Sequence, residues 1–211
     1  MINELEKDVL REIINIGLAR AADSFSDYSK SGVLLNVPDI KIIEPKVLPE
    51  LIDEFEHGYY VIRSVIQGDL NGKTFLLFTN KNISKIAEVC LDDEKRNTAD
   101  YAKHKEKMLL ELSQNITAAL AQQLGGILGL NLSATDAATI FSNKPDSISQ
   151  ILADVPQYQP IVITIKTQFK NLLKAIEIPM LVVFDSISVS TLLRIIRRDN
   201  LYDYKLLKEK I

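Results

Sequence analysis

The sequence predicts an α/β fold of the α+β type, in which two α-β-β-β-α units share one mostly antiparallel sheet and two long helices pack against it. Two long helical patterns begin about 100 residues apart. Three apolar runs typical of strands follow each long helix, and a shorter helix closes each unit. Because the order of elements occurs twice, we expect a pseudo-two-fold relation between the units. With 211 residues and 46% hydrophobic content, the chain is long enough to form a substantial core.

The first unit, predicted at 1–95, begins with a helix from Ile2 to Phe25 whose apolar residues recur at steps of three and four. Asn71-Gly72 indicates a hairpin between the second and third strands, because both residues tolerate positive φ. The predicted strands are 33–43, 59–66 and 74–78, followed by a helix at 83–91 and a charged linker at 92–100.

The second unit, predicted at 96–211, begins with a long helix from Tyr101 to Leu124. Gly125-Gly126 is expected to end this helix, since glycine commonly terminates helices. The predicted strands are 130–140, 161–167 and 178–184, followed by a helix at 187–197. Both units are expected to form a single domain at 1–211, because they most simply share a sheet.

Composition excludes several functional classes. The net charge of −3 and the pI of about 5.5 do not favour nucleic-acid binding, which needs a basic face. The N-terminus lacks the pattern of a signal peptide, and no apolar run approaches the ~18 residues of a membrane span. The one cysteine, Cys90, lies in an apolar run, where a small core residue is the favoured interpretation rather than a nucleophile. We therefore expect a cytoplasmic protein without membrane insertion.

Familiar enzyme motifs are also missing. The stretch from Gly68 to Thr74 has three residues between its glycines, where a phosphate-binding P-loop needs four, and it lies between two predicted strands. The two histidines, His57 and His104, have no partners at metal-ligand spacing. We expect no intrinsic metal or cofactor.

The polar side of the first helix carries the best candidate site. Asp8, Glu12 and Asn15 lie on it at steps of four and three, and Ala19 and Ala22 continue it. Asn has poor propensity within a helix, and the small residues would let another protein lie close. From the residues alone, a solvated polar face with one tolerated Asn is the plainer interpretation.

This helix resembles the active-site helix of the CheC/CheX/FliY family, whose members dephosphorylate the response regulator CheY. Asp8, Glu12, Asn15 and Pro38 keep the spacing of the family motif, and the stretch from Glu12 to Gly17 is similar to its Glu-x-x-Asn-Ile-Gly core. The resemblance implies that Asn15 positions the attacking water and that Glu12 pairs with a lysine of the partner. Asp8 and Pro38 are implied to be supporting residues, Pro38 in the turn into the next strand. Mg²⁺ is expected on the partner.

The family often has a second site on the second long helix, and here that helix departs from the pattern. Aligning Asn115 with Asn15 places Leu112 where the acid should be, whereas aligning Glu111 with Glu12 places Gln114 at the Asn position. We therefore predict a degenerate second site that includes Glu111, Gln114 and Asn115.

Two functions remain open at this stage. The first is a phosphatase acting on phosphorylated CheY, most like CheC. The second is a non-catalytic docking protein of the chemotaxis or flagellar-switch system, for example one that binds the receptor deamidase CheD. The absence of a C-terminal flagellar-switch domain leads us to expect that the chain is not a FliY-like rotor component.

Overall fold

A computed structural model describes residues 2–29, 34–43, 59–140, 151, 162–171, 174–203 and 206–207. The helices are α1 (Glu4–Ser29), α2 (Asn80–Cys90), α3 (Asp93–Arg96), α4 (Tyr101–Leu128) and α5 (Ser186–Arg198). The strands are β1 (Leu34–Ile43), β2 (Tyr59–Gly68), β3 (Gly72–Thr79), β4 (Leu132–Ile140), β5 (Val162–Asn171) and β6 (Lys174–Phe184). The predicted fold class is confirmed.

Within the described residues the strands form one six-stranded sheet in the order β1-β5-β6-β3-β2-β4. Every neighbouring pair is antiparallel. Exchanging β1, β2 and β3 with β4, β5 and β6 gives the same order read from the opposite edge of the sheet, as a pseudo-two-fold relation requires. Strand β1 of the first unit pairs with β5 of the second, and β4 pairs with β2, so each unit completes the sheet of the other.

The core lies between one face of the sheet and helices α1, α2, α4 and α5. Its fully buried members include Ile13 and Leu18 of α1, Leu112 and Leu120 of α4, and Phe78 of β3. Burying a side chain of this size stabilises the fold by about 1.5–3 kcal/mol before the loss of chain entropy is counted. The two long helices are thereby held side by side with one face of each in the core.

Two central stretches, 74–78 of β3 and 178–184 of β6, are buried on both faces of the sheet. Leu76 and Phe78 face the helices as part of this core, and Phe75 and Leu77 on the opposite face are also at most 1% exposed. A strand that is buried on both faces needs no polar alternation. This explains the uninterrupted apolar run in β3.

Helix α4 does not end at Gly125-Gly126 as predicted, but continues to Leu128. Gly129 ends it in the left-handed conformation, with φ of 66°. Its N–H and that of Leu130 both donate to the carbonyl oxygen of Gly125. The extra turn buries Ile127 and Leu128, and this burial outweighs the low helix propensity of the two glycines.

The hairpin predicted from Asn71-Gly72 is present, but these residues do not supply its positive φ. Gly72 is paired with Ile66 as the first residue of β3, and the positive φ of 128° occurs at Gly68. Glycine is required at position 72 for another reason, because a Cβ there would lie 2.7 Å from Cδ1 of Phe184. The dipeptide therefore allows close packing against β6.

Several predicted boundaries also change. The expected linker at 92–100 contains the single-turn helix α3, and strands β5 and β6 pair as far as Asn171 and Lys174. None of the helices in the described part of the chain has a stretch apolar enough to cross a bilayer.

Candidate functional site

Helix α1 begins with a capping box that the sequence analysis missed. The side chain of Asn3 accepts a hydrogen bond from the backbone N–H of Glu6 at 2.8 Å, and the backbone N–H of Asn3 donates to Oε2 of Glu6 at 2.9 Å. The spacing Asn-x-x-Glu before an apolar periodic run is the signal that would have predicted it. These bonds satisfy two backbone donors at the helix start.

The predicted site residues lie on the side of α1 that faces away from the core. Val9, Leu10 and Ile13 are buried, whereas Asp8 is exposed and Glu12 and Asn15 are partly exposed. Residues three apart on a helix have Cβ atoms about 5–6 Å apart, so Glu12 and Asn15 are neighbours on this surface. We call Asp8, Glu12 and Asn15 the site face.

The polar groups of the site face differ in whether they have partners. Asp8 forms an ion pair with Arg11, whose Nη1 lies 2.6 Å from Oδ1. Within the described part of the chain, the side chains of Glu12 and Asn15 have no hydrogen-bond or ion-pair partner. A carboxylate and a carboxamide thus lie next to each other on one helix, where another molecule could contact both. Ala19 continues this face and is exposed, while the side chain of Ala22 lies outside the described residues.

Pro38 lies within β1, in agreement with the strand predicted at 33–43, and not in a turn before that strand, the location that the resemblance implies. The pairing of β1 with β5 shifts register between Asn36 and Asp39, and β1 lies at the edge of the sheet that the described strands form. Proline has no N–H to donate, so it is tolerated at edges and bulges.

The second long helix presents the predicted second-site residues on its outer face. Gln114 and Asn115 are exposed, and Glu111 is partly exposed with Oε1 3.6 Å from Nζ of Lys107. Leu112 is completely buried, which disfavours the alignment of Leu112 with the partly exposed Glu12.

Alignment of Glu111 with Glu12 agrees with the burial of both helices. The same alignment also places the last residue of α1, Ser29, opposite the last residue of α4, Leu128. Gln114 then occupies the position of Asn15, so the second helix carries the acid but not the asparagine.

Neither the cysteine nor the histidine that the structure describes adds a second candidate site. Cys90 packs against the core, and burial raises the pKa of its thiol to about 12, so the thiol is protonated at neutral pH. His57 lies outside the described residues, and His104 lies on α4. Among the described residues no group of three His, Cys, Asp or Glu side chains is arranged to hold a metal ion.

Solved structures with the same fold belong to chemotaxis and flagellar proteins. FliY of Thermotoga maritima matches over 100% of both chains with a TM-score of 0.70 at 19% identity. CheX of Desulfovibrio desulfuricans matches 82% of this chain and 99% of its own, with a TM-score of 0.53 at 14% identity. A chain of the FliG–FliM complex from H. pylori matches 92% of this chain and 100% of its own, with a TM-score of 0.64 at 10% identity. No family profile matches the sequence. The chain therefore has the fold of the CheC/CheX/FliY proteins.

Proposed function

We propose that this protein hydrolyses the phosphoaspartate of a CheY-type chemotaxis response regulator in the cytoplasm. Asn15 positions the attacking water, and Glu12 pairs with a lysine of the regulator. The observation that carries the proposal is that Glu12 and Asn15 lie partly exposed on one face of α1, with no hydrogen-bond or ion-pair partner among the described residues. The fold that the chain shares with CheX and FliY supports a role in chemotaxis.

The chemistry suits these two residue types. Hydrolysis of an acyl phosphate needs a water in line with the bond from phosphorus to the leaving oxygen, and most of the catalysis is positioning and charge stabilisation. The carboxamide of Asn15 can hold that water through a hydrogen bond without bringing a negative charge towards the phosphoryl group. The carboxylate of Glu12 attracts a lysine, which sets the register of the two proteins. The regulator supplies the phosphoryl group and Mg²⁺.

Dephosphorylation of a phosphorylated CheY tests this function. The protein is added at substoichiometric amounts to phosphorylated regulator in Mg²⁺, and loss of phosphate is followed over time. We expect each molecule to turn over many regulators. Loss of phosphate at the spontaneous rate, across several CheY-type regulators, would contradict the proposal.

The alternative is a non-catalytic docking protein of the flagellar switch or an adaptor that binds CheD. Two observations favour it: the similarity to a chain of the FliG–FliM complex, and Gln114 at the second helix where the motif has asparagine. This alternative predicts binding to CheD or to a switch protein without any acceleration of phosphate loss, so the same assay separates the two functions.

A further inference from the structure

A buried carboxylate joins the first turn of α1 to α5. Glu6 is completely buried, and its Oε1 accepts a hydrogen bond from Nε of Arg197 at 2.6 Å. The hydroxyl of Tyr202 donates to the same oxygen at 3.4 Å, and the N–H of Asn3 donates to Oε2 at 2.9 Å. The hydrogen bond from the guanidinium of Arg197 lowers the pKa of Glu6, so this carboxylate is ionised at neutral pH.

A second contact holds α1 further along its length. Gly17 is buried against α4, and a Cβ at this position would lie 2.7 Å from Cδ1 of Leu120 and 3.7 Å from its carbonyl oxygen. The absence of a side chain at Gly17 lets the two helices approach closely here. With a rise of 1.5 Å per residue, Gly17 lies about 16 Å along the axis from Glu6. Glu12 and Asn15 lie between these two contacts, on the opposite face.

We propose that Glu6 is a positioning residue for the site face, acting through Arg197 to fix the tilt of α1 about its contact at Gly17. This inference rests on the proposed function. If the Glu6–Arg197 pair is released, α1 can tilt about the Gly17 contact, and each residue moves in proportion to its distance from it. Glu12 lies about 7.5 Å from Gly17 along the axis and Asn15 about 3 Å, so Glu12 moves more.

The inference predicts which kinetic constant changes. Glu12 docks the partner and Asn15 holds the water, so a tilt disturbs docking more than chemistry. We expect Glu6→Gln to raise KM for the phosphorylated regulator about three- to tenfold, with kcat changed by less than about twofold. A general loss of folded protein would lower kcat with KM unchanged.

The test compares Glu6→Gln with Glu4→Gln. Glu4 lies in the same turn and its Oε1 is 2.6 Å from Nζ of Lys7, but its side chain is 77% exposed, so the control removes the same charge without touching a buried contact. Arg197→Lys is a second variant that keeps a cation beside Glu6, and we expect its KM to lie between those of the native protein and Glu6→Gln. The ¹H–¹⁵N NMR signals of the Glu12 backbone amide and the Asn15 side-chain amide report the position of α1 without any activity.

The outcomes separate this inference from the proposed function. Raised KM and displaced NMR signals in Glu6→Gln, with Glu4→Gln like the native protein, support it. Native KM and native signals in folded Glu6→Gln, or in Arg197→Lys if Glu6→Gln does not fold, overturn it. If the native protein has no phosphatase activity, the proposed function fails, and the NMR signals alone decide whether Glu6 positions the site face.

Discussion

Alanine substitutions at the adjacent glycines of α4 should change stability in opposite directions. Gly126 is exposed, and a Cβ there would meet nothing within 4 Å. Ala is favoured over Gly within a helix by about 0.5–1 kcal/mol, so Gly126→Ala should stabilise the protein by about this amount. A Cβ at Gly125 would instead lie 2.7 Å from the carbonyl oxygen of Leu130.

A Cβ added at Gly125 would meet a backbone atom of Leu130, so no side-chain rotation could relieve the contact. The N–H of Leu130 donates to the carbonyl oxygen of Gly125 at 2.9 Å, which holds this loop in place. Overpacking of this kind costs about 1–3 kcal/mol and outweighs the gain in helix propensity, so Gly125→Ala should destabilise by about 1–2 kcal/mol.

Urea denaturation followed by circular dichroism measures the free energy of unfolding of both variants. The two variants should differ by about 1.5–3 kcal/mol, which corresponds to a difference of roughly 3–12 °C in Tm for a chain of this size. If Gly125→Ala is as stable as Gly126→Ala, the proposed packing of the α4 end against Leu130 is wrong.

Three further predictions concern named side chains. Glu12→Ala should weaken binding to the phosphorylated regulator about tenfold at low salt and less at high salt, because salt screens the ion pair. If titration calorimetry shows the same salt dependence for the variant and the native protein, Glu12 does not dock the regulator. Gln114→Ala should change turnover by less than about twofold, since a longer amide cannot replace a positioned asparagine; a loss of half or more would reveal a second active site. Because burial raises the pKa of the Cys90 thiol to about 12, Cys90 should react with iodoacetamide at pH 8 far more slowly in the folded protein than in urea. Equal rates would show that the thiolate of Cys90 is accessible in the folded protein.

The helices of the core were predictable because burial imposes a period that the residues themselves display. Val9 and Ile13 of α1 and Leu120 of α4 fall at the expected steps, and all are buried. The end of α4 was not predictable from Gly125-Gly126 alone, because the stabilising contacts of Ile127 and Leu128 are tertiary. Burying two large apolar side chains stabilises the extra turn by more free energy than the low helix propensity of the two glycines costs.

Strand order and the Glu6 pair depend on contacts that sequence patterns do not encode. Strand β1 pairs with β5, which lies in the other unit, and periodicity says nothing about such pairing. The partner of Glu6, Arg197, is 191 residues away in the chain. The capping box of Asn3 and Glu6 could have been predicted from their spacing, but the burial of Glu6 against α5 could not.

The candidate site was more accessible to sequence analysis, because its residues belong to one helix. The spacing of Asp8, Glu12 and Asn15 alone places them on one surface. The choice between the two alignments of the long helices depended on the observed burial of Leu112. The strand predicted at 33–43 already contains Pro38, but its place at a register shift between Asn36 and Asp39 needed the observed pairing of β1 with β5.

The rate of phosphate loss from a phosphorylated CheY-type regulator, measured with Asn15→Ala, tests whether Asn15 positions the attacking water. Asn115→Ala is the matched control, because it makes the same chemical change at an exposed asparagine of the other long helix. Removal of one positioned hydrogen-bonding group typically lowers kcat by about 10²–10³. We expect a loss of at least about a hundredfold for folded Asn15→Ala and a change below about twofold for Asn115→Ala. Near-native turnover by folded Asn15→Ala would contradict the proposed role of Asn15.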